Sequence, residues 1–390
     1  MSQKPVIVIV GAGPAGLVAA NMLCRDGFDV TVFEADASAT SRDQGGMLDL
    51  HVPDGQLALK KAGLFDAYMA IARHDDQELR DIDWATGETL IEDIPAPGTG
   101  DSPEIDRLVL RELLLEPLPA GTVIWGARVV GVGKTPGGRR VVQLHDGRTH
   151  ECDLVIGADG AGSAVRAALT DVRPVYTGVT FVELWFSDVE RRHADVAALV
   201  GHGTLMSVGN GPGSGTALFA QRNGNDVIRS YAAFRTHADD TDRPEKTLAD
   251  ITRQALLARF PGWSPRLLPL IEDAERIAAI RPIVGLPPGT RWPSTSGLTL
   301  VGDAAHVMPP MGVGVNLAML DAAELAEAIA GASDWQAAVR AQETVMLDRA
   351  AQIGAECARA FSAWFGHSER HALPSALPST LPLTIHEQRR

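Results

Sequence analysis

Apolar and polar positions follow their most regular pattern in the first forty residues. Val6 to Val10 is an unbroken β-branched run, which predicts a strand buried on both faces. Gly11-Ala12-Gly13-Pro14-Ala15-Gly16 follows, then an apolar stretch of helical period to about Arg25. A second strand, Val30 to Phe33, ends at Glu34. Strand, glycine turn, helix, strand and acid in this order form a dinucleotide-binding fingerprint. Gly11 allows the tight turn, Gly13 lets backbone amides approach a pyrophosphate, and Gly16 lets the helix pack close to the strand. The helix start offers free N–H groups and the positive end of a dipole. Glu34 stands where a carboxylate accepts hydrogen bonds from a ribose.

Further along, the loop from Asp36 to Gln44 carries one cation, Arg42, and the pair Gly45-Gly46 permits close backbone approach before Met47 to Leu50. A helix is predicted from Gln56 to Ala62 and a hairpin over Glu78 to Ile91. Pro95 to Pro103 is a linker, and a helix starts at Asp106 with Arg107 in its first turn. A cation at a helix start opposes the dipole, so Arg107 is expected either to have an anion nearby or to be a solvated arginine. Val123 to Leu154 reads as a small meander ending in the apolar strand Leu154 to Gly157, then Asp159-Gly160 and a helix carrying Arg166. From Pro174 to Phe234 the pattern switches to period two, with strands at Tyr176–Phe186, Thr204–Val208, Ala217–Gln221 and Val227–Phe234. Leu248 to Phe260 is expected to be helical, and Glu272 to Ile280 to return toward the first domain.

A second glycine-preceded helix start comes late. The strand Leu298 to Val301 delivers Gly302-Asp303 into a turn, Pro310-Met311-Gly312-Val313-Gly314-Val315-Asn316 follows, and a helix runs to about Ala330. The last helix runs from Trp335 to about Trp364. The fold class is α/β, a Rossmann-like domain with an inserted, mainly antiparallel β domain and a C-terminal bracing helix. The nucleotide-binding domain covers 1–77, 98–173 and 270–330, the inserted domain 78–97 and 174–269, the helix 331–366 and a tail 367–390.

Composition narrows the class. The chain has 390 residues and a net charge of −14, which argues against a nucleic-acid partner. Cys24, Cys152 and Cys357 are scattered without metal spacing, so no metal site is expected and a reduced, cytoplasmic setting is. No apolar run approaches the roughly 18 residues that span a bilayer, so stable membrane insertion is not expected.

The three markers Gly11-x-Gly13-x-x-Gly16 with Glu34, Asp159-Gly160, and Gly302-Asp303 with its proline and glycine turn resemble the single-component, FAD-dependent aromatic hydroxylases. Gly45-Gly46-Met47-Leu48-Asp49-Leu50-His51 and Gly302-Asp303-Ala304-Ala305-His306-Val307-Met308-Pro309-Pro310 are similar to the TetX-type tetracycline-inactivating monooxygenases within that family. The resemblance implies FAD and NADPH as cofactors. It implies that Gly11, Gly13, Ala15, Gly16 and Glu34 hold the ADP half of FAD, and that Gly46, Asp49 and Arg107 contact it. Asp303 would bind the ribityl chain, with Pro310, Gly312, Gly314 and Asn316 beside the isoalloxazine. Arg42 matches a position associated with NADPH, and Asp159 a motif tied to both cofactors. The expected reaction is NADPH- and O2-dependent hydroxylation of a polycyclic or phenolic small molecule, a tetracycline-like antibiotic among the candidates, through a flavin C4a-hydroperoxide. A monomer or weak oligomer is expected.

Two departures stand out. The family's glycine turn has Gly-Gln-Gly where this chain has Gly312-Val313-Gly314, and the β domain matches the subgroup poorly. Arg229 is a candidate for substrate contact, the alternative being a solvent-exposed strand arginine. Trp84, Trp185 and Met206 are candidates for the pocket lining or for core. No nucleophilic triad is visible, and His306 reads as a structural member of its turn. The competing readings are a non-enzymatic flavin protein that sequesters a ligand and a flavin oxidoreductase of another reaction type. Substrate-stimulated NADPH oxidation separates sequestration from catalysis.

Overall fold

A computed structural model describes residues 4–43, 45–96, 98–209, 215–236, 248 and 251–366; the expected tail, 367–390, lies outside them. The strands in chain order are β1 (Val6–Val10), β2 (Asp29–Phe33), β3 (Met47–Asp49), β4 (Glu78–Ile82), β5 (Thr89–Asp93), β6 (Glu104–Asp106), β7 (Val123–Ile124), β8 (Val129–Lys134) and β9 (Arg140–Leu144). They continue with β10 (Thr149–Cys152), β11 (Leu154–Gly157), β12 (Val175–Phe186), β13 (Gly203–Val208), β14 (Thr216–Asn223), β15 (Val227–Arg235), β16 (Arg276–Gly285) and β17 (Leu298–Leu300).

Five of them form a parallel sheet in the order β17-β11-β1-β2-β7. Helices cover it, so Ile7, Val8, Ile9, Leu154, Val155 and Ile156 are wholly buried, which is why these strands read as continuous apolar runs. The register aligns Val10 with Phe33 and Gly157, and Gly157 with Leu300. The carboxyl ends of four strands therefore stand side by side, and the crevice beyond such ends is where open α/β sheets bind ligands. The first helix, Pro14–Arg25, begins at this edge with proline at its start, where the missing N–H costs nothing.

β8, β9 and β10 form the expected antiparallel meander. β3 and β6 pair as a two-stranded ribbon that the sequence pattern does not announce; it sets Met47 opposite Asp106. The helix expected after Asp159 is only a 3-10 turn, Arg166–Ala168. The Asp159 carboxylate accepts from the Ser163 hydroxyl at 2.5 Å and the Ala164 amide at 2.8 Å, tightening the turn. The Arg166 side chain then folds back rather than leading into a helix.

The second sheet has seven strands in the order β16-β12-β15-β14-β13-β4-β5. β16 lies within the segment expected to rejoin the first domain, yet it is hydrogen-bonded along β12 at the sheet edge. An edge accommodates Pro282, which has no N–H for a ladder. One face of this sheet packs Val182, Leu184, Leu218, Ala220, Ile228, Ala232 and Phe234 into a second core with Val196, Leu256 and Leu270. The segment Leu248 to Phe260 contains a shorter helix than expected, Arg253–Leu257, capped by the Thr252 hydroxyl. The other face carries Glu183, Trp185, Phe219, Gln221, Arg229 and Tyr231 and looks toward the first domain. The last helix, Trp335–Phe365, joins the two bodies through a third cluster containing Ala217, Ala233, Met311, Val313, Phe361 and Phe365. Among the described residues, no helix is long and apolar enough to cross a membrane.

Candidate active site

The three glycines of the first turn do different work. Gly11 has φ +104°, and a Cβ there would lie 2.4 Å from the Ala158 carbonyl oxygen. A Cβ on Gly16 would lie 2.0 Å from the Gly11 carbonyl oxygen. A Cβ on Gly13 would meet nothing within 4 Å. The outer two are fixed by packing, whereas Gly13 keeps open a space above the free amides of the helix start. Glu34, buried, accepts from the Ala12 amide at 2.7 Å and the Asp36 amide at 2.8 Å. Its first task is thus to hold the glycine loop, and lone pairs remain for a further donor. Buried Arg111 lies beneath, 3.4 Å from Glu34 and 3.0 Å from Asp36, and donates to the Ala12 carbonyl at 3.1 Å. Arg42 donates to both oxygens of Asp36, at 2.8 and 3.0 Å. Burial alone would raise the Asp36 carboxyl, but Arg42 and Arg111 hold it below the usual range. Beside this end of the crevice lies a cavity of about 210 Å³ bounded by Ala35, Gly126, Arg128, Leu144, His145 and Asp146.

The second helix start faces the same crevice. Gly302 has φ +59°, and a Cβ there would come 2.8 Å from the Ala318 Cβ and 3.6 Å from that of Ala15. Its lack of a side chain lets the Asp303 turn settle onto both the first helix and the helix Gly314–Gly331. The Asp303 side chain is exposed and makes no hydrogen bond to the described residues. Its backbone is held from below. Arg166, 1% exposed, donates to the carbonyls of Ala304 at 2.9 Å, Asp303 at 3.4 Å and Ala161. Asp159 holds this turn, its half-buried carboxyl pushed up by desolvation and accepting from Ser163, Ala164 and Val165.

Arg107 lies under Gly45, whose added Cβ would be 3.3 Å from the arginine Cδ. Its side chain is open to solvent yet walled by protein, as befits a cleft lining. Desolvation disfavours its charge, with Tyr231 and Asp303 acting in the opposite sense. It makes no side-chain hydrogen bond to the described residues. Asp49 is half-exposed and 3.1 Å from His51 Nε2. Asn316 is wholly buried; its amide donates to the Asp49 carbonyl at 2.9 Å and accepts from the His51 amide at 2.9 Å. That side chain is therefore a bracket between helix and loop, not a group aimed at a ring. Pro310 and Gly312 are exposed, and added Cβ atoms on Gly312 and Gly314 would meet nothing. Val313, by contrast, is 3% exposed in the third cluster. His306 is buried 2.5 Å from Asp321, which also accepts from Arg349 at 2.8 Å.

Opposite stands the second sheet. Arg229 is buried, not solvent-exposed: it donates to Glu183 and, at 2.9 Å, to Asp43, and stacks 4.4 Å from the Trp185 ring. Arg281 donates to the second oxygen of Glu183. The guanidinium of Arg229 is thus committed to protein carboxylates. Gly46 is pressed against this wall, for a Cβ there would lie 2.6 Å from the Tyr231 hydroxyl and 2.9 Å from Gln221 Oε1. Burial and the Glu183 charge push the Tyr231 phenol up to about 12, so it is a neutral hydroxyl at physiological pH. Phe181 and Phe219 stack at 5.7 Å, with Trp364 5.8 Å from Phe219. Trp84 instead packs on Trp263 beside the second core, while Met206 is half-buried on the cleft face. Tyr231, Phe219 and Glu183 were passed over in the sequence; the period-two alternation that placed Arg229 on one face places them there too.

The residues present suit a dinucleotide with a long, anionic middle: an open cradle at Gly13, an arginine without a hydrogen-bond partner among the described residues, and an exposed aspartate for hydroxyls. Residues 3–353 match the family described as FAD binding domain. This chain belongs to the FAD-dependent monooxygenases. It is 32% identical over 381 residues to Monooxygenase asqM of Emericella nidulans, covering 82% of this chain and 83% of that one. It is 28% identical to 6-hydroxynicotinate 3-monooxygenase of Pseudomonas fluorescens, over 90% of each chain. The structure of tetracycline destructase Tet(55) superposes with a TM-score of 0.70 at 22% identity, covering 92% of this chain and 90% of that one. Tetracycline destructases are one of several kinds of neighbour, so the expected special closeness to the TetX type gives way to membership of the wider aromatic hydroxylases. The monooxygenase has its two glycine-preceded helix starts and an aromatic wall across one cleft, which can exclude water from a planar ligand held between them.

Proposed function

We propose that this monooxygenase uses a nicotinamide donor, NADPH in the first instance, to reduce FAD and then hydroxylates an electron-rich polycyclic or phenolic compound held against Phe219 and Tyr231. The observation that carries the reading is the shared cleft. Gly13, Arg107 and Asp303 line one side of it, and Gly46 leans on Tyr231 at the other. In this reading Gly13 and the first helix start receive the pyrophosphate, Glu34 the adenosine ribose, and Asp303 the ribityl hydroxyls. Arg107 supplies the compensating charge, and Asp49, Pro310, Gly312 and Gly314 border the ring through their backbone. FAD supplies the oxygen-transfer chemistry when bound. The protein orients the ring, keeps water out and presents the neutral Tyr231 hydroxyl as a hydrogen-bond donor toward the Gly46 edge. Arg42 contributes to the donor site only if it leaves Asp36. A tetracycline-like antibiotic belongs to the substrate panel on the same footing as simple phenols.

The test is the spectrum of the purified protein followed by NADPH consumption against polyphenols and tetracyclines. Asp303→Ala and Arg107→Ala are expected to lose the yellow flavin on purification, and Arg42→Ala to raise the NADPH requirement with FAD retained. Full flavin in both of the first two variants, or NADPH left untouched with every compound, rejects the reading.

A further inference from the structure

The cleft face of the sheet carries a carboxyl group to which nothing above assigns a task. Along β4, Arg80 turns to the side of the second core and donates to the carbonyls of Ala198 at 2.7 Å and Leu199 at 3.1 Å, and Ile82 packs in that core. Leu79 and Asp81 therefore face the cleft. The parallel register of β4 with β13 sets Asp81 beside Met206. From Met206 the row continues across the sheet through Phe219 and Tyr231 to Glu183. Asp81, Met206, Phe219 and Tyr231 are all partly accessible, while Leu205, Leu218 and Ala232 on the opposite face are buried.

Other carboxylates on this wall have cations. Glu183 has Arg229 and Arg281, and Asp43 has Arg229. Asp81 has no cation among the described residues; its carboxyl is met by the backbone amide of the adjacent Ile82. Adjacent Arg80 points to the opposite face, and the charge that acts on Asp81 is that of Asp83, itself bound to the amides of Ala85 and Thr86 at 3.0 and 2.7 Å. Burial, helped by Asp83, pushes the Asp81 carboxyl up to about 6. A carboxylate half-withdrawn from water at the end of an apolar and aromatic row, with one backbone amide and no counter-charge, has lone pairs left for a cationic donor.

We propose that Asp81 anchors the end of the substrate remote from oxygen transfer, selecting flat polycyclic molecules that carry an amine there. The proposal rests on the cleft being the oxygenase site. Three strand spacings separate Asp81 from Tyr231, about 14 Å, roughly the long axis of a fused polycycle. A substrate lying along the row would place one end at the Gly46 and Tyr231 edge and present the other to Asp81. Met206 and Phe219 would carry its flat faces.

The FAD-loaded enzyme is titrated with two matched pairs, tetracycline with 4-dedimethylaminotetracycline, and 2-aminomethylanthracene with 2-hydroxymethylanthracene, following ligand fluorescence. The amine member of at least one pair is expected to bind about tenfold tighter, and Asp81→Asn to reduce that preference to within about twofold. For a compound that is turned over, KM rises about tenfold in Asp81→Asn with kcat nearly unchanged, a split that general loosening of the fold would not produce. Where Asn fails to fold, Asp81→Ser is measured in its place. No amine preference in wild type, including no binding of either member of both pairs, overturns the anchor, as does a preference that survives the substitution. An amine preference in binding without NADPH oxidation for any compound removes the oxygenase reading and leaves the anchor standing.

Discussion

Gly11, Gly13 and Gly16 look equivalent in sequence and are opposites in three dimensions. An alanine at 11 or 16 collides with backbone, whereas one at 13 fills only the space above the helix amides. Gly13→Ala is therefore expected to keep the apoprotein melting temperature and to weaken FAD by at least about tenfold, or 1.4 kcal/mol. A large fall in the apoprotein melting temperature would contradict this division of labour. His306 makes a prediction about pH. Burial alone would lower its pKa, but the Asp321 charge at 2.5 Å overrides this and the net shift is upward, with Asp303 acting in the same sense and Arg349 facing Asp321 from the last helix. A folded-state pKa above the unfolded one stabilises at low pH, so the contribution is complete below about 6.5 and is lost as pH rises through the folded value. The stability difference between wild type and His306→Gln should shrink as pH is raised past neutrality; a difference that grows would reverse the assignment. Residues whose task depends on neighbours in the chain, such as Gly11 and Gly16 in their packing, were legible in sequence. Those whose task depends on distant partners were not: Arg229 meets Asp43 across 186 positions and Asn316 meets His51 across 265. No periodicity encodes such pairings.

Among elements, legibility followed burial. β1, β11 and β17 lie inside a covered sheet and announce themselves as apolar runs, while β16, half-buried at an edge and interrupted by Pro282, does not declare which sheet it joins. The β3–β6 ribbon is three residues on each side, too short to show a period, yet it brings Gly46 to Arg107, whose amide donates to the Gly46 carbonyl at 3.3 Å. The last helix was legible as a helix but not as a polar clamp. Its Glu343, 4% exposed, accepts from the Trp292 indole at 3.1 Å, the Ser294 hydroxyl at 2.9 Å and the Thr299 hydroxyl at 2.9 Å. Three donors converge on one carboxylate, tying this helix to β17 directly below the Asp303 turn. Glu343→Ala strands all three and is expected to cost about 2–4 kcal/mol in denaturant unfolding. A cost under about 0.5 kcal/mol would place the clamp among surface contacts.

For the molecule as a whole, the decisive contact is the third cluster, where both bodies and the last helix meet. Val179, Ala217 and Ala233 come from the second sheet, Met311 and Val313 from the glycine turn, and Phe361 and Phe365 from the last helix. Here the Val313 departure acquires a physical reason. In sequence it is a departure from the family's Gly-Gln-Gly turn, an apolar side chain in place of a polar one. In three dimensions the valine is buried in the cluster, while Gly312 and Gly314 on either side keep the exposed surface clear. The turn thus serves the cleft through its backbone and the domain interface through its one side chain. Val313→Gln places an amide among Met311, Ala233 and Phe361 with no partner among them, an expected cost of about 1–3 kcal/mol. Under the proposed function this cluster joins the Phe219 wall to the turn that borders the flavin, so the variant should also waste reducing equivalents. Peroxide per NADPH consumed is expected to rise, together with the lowered melting temperature. Should Val313→Gln instead melt with wild type and consume NADPH more tightly coupled to product, the turn would be reporting to the ring and not to the interface.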